Sequence, residues 1–135
     1  MVDTNIIVSG IISPNGVPSQ ILRALRARKA ILLVSDPIVQ EYLEVLEYPH
    51  IKKYKQINEE SLRDLTCFFI FQTERVELLT EIRKSPDPDD NVFLSTAVNG
   101  KADFLITEDK NDLLSLKEID GIPIVSARNS LKFFA

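Results

Sequence analysis

The sequence predicts an α/β fold: three layers, α/β/α, with a central, mainly parallel sheet. Short aliphatic runs such as residues 31–34 and 122–125 indicate buried parallel strands. They alternate with longer stretches whose apolar residues recur at helical spacing, and that alternation favours a sheet covered on both faces. The 135 residues contain no repeat, low-complexity tract or linker. We therefore expect one domain over residues 1–135.

The first half of the chain is predicted to form two strands and three helices. Val2 with residues 6–8 forms a β-branched run and predicts the first strand. Apolar positions at helical spacing predict a helix over residues 18–28, and the second strand follows at 31–34. A capping serine followed by Asp36 and proline predicts a helix from 36 to about 47, which stops before Pro49. Asn58 caps the next helix, which has Glu59 and Glu60 in its first turn.

The second half is predicted to be shorter elements. A strand is expected at 76–79, and Asp89 is expected to cap a helix that Gly100 ends. The remaining predicted elements are apolar runs with a polar start: a strand at 104–106, a short helix at 112–116, a strand at 122–125, and a final helix from Ser126 or Asn129. A strand ending at Asp3 has little sequence before it, so we expect the segment ahead of it to be short or trimmed.

The composition is that of a globular protein in a reducing setting. Hydrophobic residues make up 44% and charged residues 27%. No apolar run is long enough to cross a bilayer and no signal peptide is evident, so a cytoplasmic location without a membrane partner is expected. Cys67 lies in an apolar run and is expected to be a buried small side chain. The net charge of −4 argues mildly against non-specific nucleic-acid binding.

Carboxylates recur where strands pass into helices. The candidates are Asp3, Glu41, Asp90 and Asp109. Such junctions meet at one edge of a parallel sheet, so these side chains are expected to share a pocket. Carboxylates that share a pocket must bind protons or a cation. A hard divalent ion with oxygen ligands, Mg²⁺ or Mn²⁺, therefore fits this set.

Each acid also has a structural explanation. Asp3 could be a surface acid, and Glu41 one of several exposed helix glutamates. Acids at a helix start are ordinary, but three within residues 87–90 exceed what capping requires. Asp109 closely follows a strand and is preferred as a ligand, whereas Asp112 can cap the short helix.

Other chemistries have less support. His50 has no patterned serine or cysteine partner, phosphate-binding glycine loops are absent, and His and Cys are too few for a zinc site. A phosphatase with an aspartate nucleophile usually has a second acid two residues after the first, where this chain has Asn5.

Together the acidic segments resemble the motifs of the PIN-domain family of metal-dependent ribonucleases. Asp3-Thr4-Asn5 is similar to the first motif, residues 41–46 to the second, 89–97 to the third and 107–114 to the fourth. The order and spacing agree over nearly the whole chain. In the fourth motif, Lys110 and Asn111 place one residue more between the two acids than the commoner pattern does.

The resemblance implies hydrolysis of RNA phosphodiesters by water activated on one or two Mg²⁺ or Mn²⁺ ions. Asp3, Glu41, Asp90 and Asp109 would be the catalytic metal ligands, supported by Asn5, Thr107 and Asp112. Arg23 and Arg26 would contact RNA. Within that family, the sequence most resembles the VapC-like toxins of toxin–antitoxin systems. This resemblance implies an antitoxin protein as partner and a homodimer. The rival interpretation is a non-catalytic PIN-like module that binds RNA or protein.

Overall fold

The computed structural model describes residues 1–109 and 112–134, and these form a mixed α/β structure. The helices are α1 Thr4–Ile12, α2 Val17–Arg26, α3 Asp36–Leu46, α4 Pro49–Lys52, α5 Glu59–Phe71, α6 Pro88–Asn99, α7 Leu113–Leu116 and α8 Ala127–Ser130, followed by a 3₁₀ turn at Leu131–Phe134. The strands are β1 Leu32–Val34, β2 Thr73–Arg75, β3 Leu105–Ile106, β4 Glu118–Ile119 and β5 Ile122–Val125.

The described strands form two small sheets. β1 and β2 pair in parallel, with Leu32 opposite Thr73. β5 lies between β3, which is parallel to it, and β4, which is antiparallel. Val2 joins this second sheet through a parallel bridge to Ile106. The predicted mixture of helices with mainly parallel strands is therefore confirmed.

The first predicted strand is wrong beyond Val2. Asp3 still has an extended backbone, but the chain turns into helix α1 at Thr4. Ile6 and Ile7 are 1% and 0% exposed, because α1 packs inside the core against α2 and α3. A short run that is buried on every side gives no periodicity that separates a strand from a helix, and here packing decides.

The strand predicted at 76–79 is displaced toward the N-terminus. Pairing with β1 begins at Thr73, directly after α5, and the amide of Val76 makes the last bond, to the Val34 carbonyl at 2.7 Å. Beyond that point the amides of Leu79 and Thr80 bond to the Asn99 side chain instead. The apolar appearance of this segment thus does not reflect strand pairing.

The helix starts follow the predicted capping chemistry only in part. Helix α3 begins at Asp36 as predicted, but the Ser35 side chain makes no capping bond, and its hydroxyl bonds to that of Thr96 at 2.8 Å. Asn58 and Ser61 form a reciprocal capping box at the start of α5, with bonds of 2.9 and 3.0 Å. For α6 the cap is Asp87 rather than the predicted Asp89, because the Asp87 carboxylate accepts the amide of Asp89 at 2.9 Å. Pro88 then occupies the first helical position, which suits its fixed φ.

Cys67 is exposed on α5, which corrects the expectation of a buried side chain. The buried face of α5 is made by Leu65, Phe68 and Phe69 instead. Within the described part of the chain, no helix combines the length and hydropathy needed to span a bilayer.

Candidate metal centre

A cavity of about 390 Å³ lies where α1, α3 and α6 begin and β3 ends, and we call it the acidic pocket. Its lining contains seven carboxylates: Asp3, Glu41, Asp87, Asp89, Asp90, Glu108 and Asp109. Among the described residues, no lysine or arginine lines it. The four predicted ligands therefore come together in one pocket. Its described lining carries many negative charges and no basic side chain that would balance them.

Asp3 is fixed by the pairing of the first residues with β3. Its amide donates to the Ile106 carbonyl at 2.9 Å, and the Ile106 amide donates to the Met1 carbonyl at 3.0 Å. The Asp3 side chain is buried, and its Oδ2 accepts a bond of 2.8 Å from the Thr107 hydroxyl. Burial raises the pKa of Asp3 above its usual range, although the bonds from Thr107 and the Thr4 backbone oppose the shift.

Glu41 lies on the second turn of α3, facing the start of α1. The Thr4 hydroxyl donates to its Oε2. Burial, chiefly, and then the charges of Asp3 and Asp89 raise the pKa of Glu41. The next residue, Tyr42, is fully buried and donates its hydroxyl to the Val2 carbonyl, so α3 is bonded to the extended residues just before Asp3.

The segment before α6 is held by one face of that helix. Asn91, Ser95 and Asn99 are spaced by one helical turn and bond to the backbone of residues 79–85. Asn99 accepts the amides of Leu79 and Thr80 at 3.2 and 3.0 Å and donates to the Thr80 carbonyl at 2.7 Å.

Asn91 completes this attachment next to the acids. It accepts the Ser85 amide at 2.8 Å and donates to the Ser85 carbonyl at 3.2 Å. The Ser85 hydroxyl in turn accepts the Asp87 amide at 3.3 Å. The position of Asp87 in the pocket thus depends on polar side chains of the helix that it caps.

Asp90 is the carboxylate whose surroundings most favour a bound cation. Burial, then the charges of Asp109 and Asp87, raise the pKa of Asp90 to about 7. Its Oδ2 is buried and has no hydrogen-bond partner among the described residues. A buried carboxylate oxygen without a donor is costly unless it binds a proton or a metal ion. The donor set, made only of oxygens, fits Mg²⁺ or Mn²⁺.

Asp109 is held by the backbone that follows β3. Its amide donates to the Thr107 hydroxyl at 3.0 Å, and its Oδ1 accepts the Asp112 amide at 3.2 Å. The spacer Lys110-Asn111 lies outside the described residues. One carboxylate oxygen from each of Asp87, Asp90 and Asp112 can be chosen so that the three oxygens all lie within 4.8 Å of one another. Asp90 therefore borders two overlapping acid groups, one with Asp3 and Asp109 and one with Asp87 and Asp112.

Other predicted site residues have different surroundings. Asn5 is exposed and lines the rim of the pocket. Arg23 donates to the Pro14 carbonyl at 3.0 Å and to the Ser19 hydroxyl at 2.8 Å, and the guanidinium of Arg26 lies 5.7 Å from the Phe68 ring centre. Neither arginine belongs to the described lining of the acidic pocket.

The pocket lining also includes residues outside the sequence-based set, among them Asp87, Thr4 and Glu108. In the sequence, Asp87 stands out only as part of an acidic cluster. In the structure it caps α6, at the pocket. Thr4 orients Glu41, but no local pattern indicates a contact across 37 residues. Glu108 also lines the pocket, yet its Oε1 accepts the Ala127 amide at 2.7 Å and so serves the start of α8.

Comparison with known proteins found a family match and a similar protein. The sequence pattern of the PIN domain matches residues 1–111. An uncharacterized protein of Methanocaldococcus jannaschii is 33% identical over 118 residues, which cover 87% of this chain and 74% of that protein. No solved structure matches the chain significantly. The match over residues 1–111 includes all four predicted ligands, and the chain belongs to the PIN-domain family.

Proposed function

We propose that the protein is a metal-dependent endoribonuclease that hydrolyses RNA phosphodiester bonds with Mg²⁺ or Mn²⁺. PIN domains are commonly Mg²⁺- or Mn²⁺-dependent nucleases acting on RNA. The observation that carries the proposal is the buried Asp90 oxygen without a partner, in a pocket lined by seven carboxylates. A surface that only binds RNA or protein gains nothing from gathering seven carboxylates, whose like charges repel one another.

In this proposal Asp3, Glu41, Asp90 and Asp109 hold the metal, and Asp87 and Asp112 border the same space. A bound Mg²⁺ or Mn²⁺ supplies the positive charge that favours attack of water on a phosphodiester and stabilises the leaving oxygen. Thr107 holds Oδ2 of Asp3, and Thr4 orients Oε2 of Glu41. Without a cation in the pocket, the Asp90 carboxyl is partly protonated near neutral pH, because burial and the charges of Asp109 and Asp87 raise its pKa to about 7.

Finer features are proposed on the resemblance of the motifs. They are a single domain over residues 1–135, a three-layer α/β/α arrangement around a central, mainly parallel sheet, a cytoplasmic toxin role of the VapC type, an antitoxin protein as partner, and a homodimer. Induced expression tests the toxin role: we expect growth arrest with the unchanged protein and none with Asp90→Asn. Equal growth in both cultures would contradict it.

The direct test of the nuclease is cleavage of a labelled single-stranded RNA in Mn²⁺, Mg²⁺ or EDTA. We expect metal-dependent cleavage that Asp90→Asn abolishes. The matched control is Asp64→Asn, which makes the same chemical change at an exposed position of α5. Cleavage at full rate by Asp90→Asn would overturn the assignment. Binding of Mn²⁺ without cleavage of any RNA would favour the non-catalytic binding module.

A further inference from the structure

A second cavity, of about 360 Å³, adjoins the acidic pocket, and Asn5 lines both. It runs between α1 and the segment around α4, and we call it the α1–α4 groove. One wall is formed by Asn5 and Ser9 of α1 and by Ser13 just after it, and the other wall includes His50, Lys53 and Tyr54. Asn5, Ser9 and Ser13 are spaced by four, so they continue one face of the helix away from Asp3.

The groove has the opposite electrostatic character from the pocket. Among the described residues lining it there is no carboxylate, and Lys53 contributes a positive charge. The protein as a whole carries a net charge of −4. A polyanion approaching seven carboxylates needs cations at the rim to hold its flanking phosphates. The groove supplies such a cation next to the candidate reaction centre.

Three other basic side chains form ion pairs within the protein. Lys52 pairs with Glu47 at 2.7 Å, Arg75 with Asp36 at 2.6 Å and Arg83 with Glu81 at 3.0 Å. The ammonium of Lys53 instead lies 5.6 Å from the ring centre of Tyr54, a weak contact at an exposed site. A phosphate can therefore replace this contact without breaking an ion pair.

Tyr54 adds a surface on which a base can stack. Its side chain is 40% exposed at the groove. Proteins that bind single-stranded nucleic acid combine a positively charged groove with aromatic side chains of this kind. The hydroxyls of Ser9 and Ser13 and the amide of Asn5 are groups that can bond to sugar hydroxyls and phosphates.

The dimensions suit a short strand. From Asn5 to Ser13 the helix face extends about 12 Å, at about 1.5 Å per residue. That length exceeds the ~3.4 Å step between stacked bases several times. The groove is thus long enough for more than one nucleotide that leads away from the acidic pocket.

We propose that the α1–α4 groove binds the single-stranded RNA next to the bond that is cut, with Lys53 on a phosphate and Tyr54 stacked on a base. This assignment rests on the proposed ribonuclease function. It adds Lys53 and Tyr54 to the RNA contacts expected of Arg23 and Arg26, which do not line the groove and of which Arg23 is hydrogen-bonded to Pro14 and Ser19.

The test measures both binding and cleavage of a fluorescein-labelled single-stranded RNA. Binding is followed by fluorescence anisotropy in the Asp90→Asn background with Mn²⁺, so that the RNA stays intact. Adding Tyr54→Ala should weaken binding about tenfold, whereas Tyr54→Phe keeps the ring and should stay within about twofold. Adding Lys53→Ala should weaken binding and reduce the slope of log affinity against log salt by about 0.7.

In the otherwise unchanged protein, Lys53→Ala and Tyr54→Ala should raise KM more than they lower kcat. The matched control is Lys52→Ala, which removes the same charge one residue away, outside the groove. Thermal midpoints of all variants verify that they fold. Should Lys53→Ala and Tyr54→Ala behave as Lys52→Ala does while the unchanged protein cuts RNA, the groove assignment is overturned and the nuclease stands. Should the unchanged protein neither bind nor cut RNA, both proposals fail.

Discussion

The hydroxyl of Thr107 donates a hydrogen bond of 2.8 Å to Oδ2 of Asp3, across 104 residues of sequence. The same hydroxyl oxygen accepts the amide of Asp109 at 3.0 Å. One fully buried side chain therefore links the acid that follows the first extended residues to the acid that follows β3. The bridge between Val2 and Ile106 brings the two backbones together, and Thr107 then fixes the spacing of the two carboxylates.

Thr107→Val should weaken metal binding and destabilise the fold. Valine has nearly the same shape but leaves Oδ2 of Asp3 and the Asp109 amide without their partner. We expect a loss of about 1–3 kcal/mol in unfolding free energy and about 10–100-fold in Mn²⁺ affinity. Urea denaturation and calorimetric titration measure the two effects. Thr107→Ser keeps the hydroxyl and should recover most of both; equal losses in the two variants would contradict this role.

Asp90→Asn should change how stability depends on pH. The pKa of Asp90 is about 7 in the folded protein and about 3.9 in an unfolded chain. Between these values the unfolded chain releases the proton and the folded protein retains it, so rising pH favours unfolding. Below pH 4 both states are protonated, and above pH 7 the penalty is constant.

The measurement is the thermal midpoint of the metal-free protein and of Asp90→Asn from pH 4 to pH 8. We expect the two midpoints to be similar at pH 4 and the variant to be progressively more stable up to about pH 7, where the folded carboxyl loses its proton. Saturating Mn²⁺ at pH 8 should stabilise the unchanged protein more than the variant. A difference between the two midpoints that does not vary with pH would show that the pKa of the Asp90 carboxyl is not raised in the folded protein.

Asn99→Ala should release the segment that leads to Asp87. The alanine cannot bond to the amides of Leu79 and Thr80 or to the Thr80 carbonyl. We expect about 1–2 kcal/mol of destabilisation, since the lost bonds lie at a partly exposed site. Hydrogen exchange at the Leu79 and Thr80 amides should accelerate. Asn99→Asp keeps the acceptor and should preserve more of that protection; unchanged exchange in Asn99→Ala would contradict the attachment.

Gly100→Ala should destabilise the protein because its surroundings leave no room for a methyl group. An added Cβ would lie 2.7 Å from Cγ2 of Val76 and 2.9 Å from Cδ1 of Leu33. Such overpacking costs about 1–3 kcal/mol. At Gly16 the nearest atom would be 3.5 Å away, so Gly16→Ala serves as the control and should change stability little. Equal urea midpoints for the two variants would refute the packing argument, and Val76→Ala should partly relieve the Gly100→Ala defect.

Much of the fold could be predicted where the sequence contains local signals for the start of a helix or for a buried strand. Asn58 signals the start of α5 through a side chain that bonds to the backbone, and Pro37 signals the start of α3 through its fixed φ, so both helices begin as expected. The aliphatic runs at β1 and β5 were also placed correctly. By contrast, residues 6–8 are buried in a helix, and no local signal distinguishes that burial from burial in a strand.

In the candidate metal site, too, some residues could be predicted from the sequence and others could not. Asp3, Glu41, Asp90 and Asp109 follow recognisable motifs, and all four line one pocket. Their supporting contacts are long-range: Thr4 reaches Glu41, and Tyr42 reaches Val2. The attachment of residues 79–85 to α6 depends on the polar face of that helix that contains Asn91 and Asn99. From the sequence alone, a polar helix face is expected to be exposed to solvent. These contacts become visible only once the chain is folded.

The most direct test of the acidic pocket as a metal centre is a crystal structure grown with Mn²⁺, with data collected near the manganese absorption edge. We expect an anomalous difference peak inside the pocket, in direct contact with Oδ2 of Asp90 and a carboxylate oxygen of Asp3 or Asp109. The peak should be absent from crystals of Asp90→Asn and present in those of Asp64→Asn. An anomalous peak elsewhere on the protein, or none in the pocket at saturating Mn²⁺, would contradict the account.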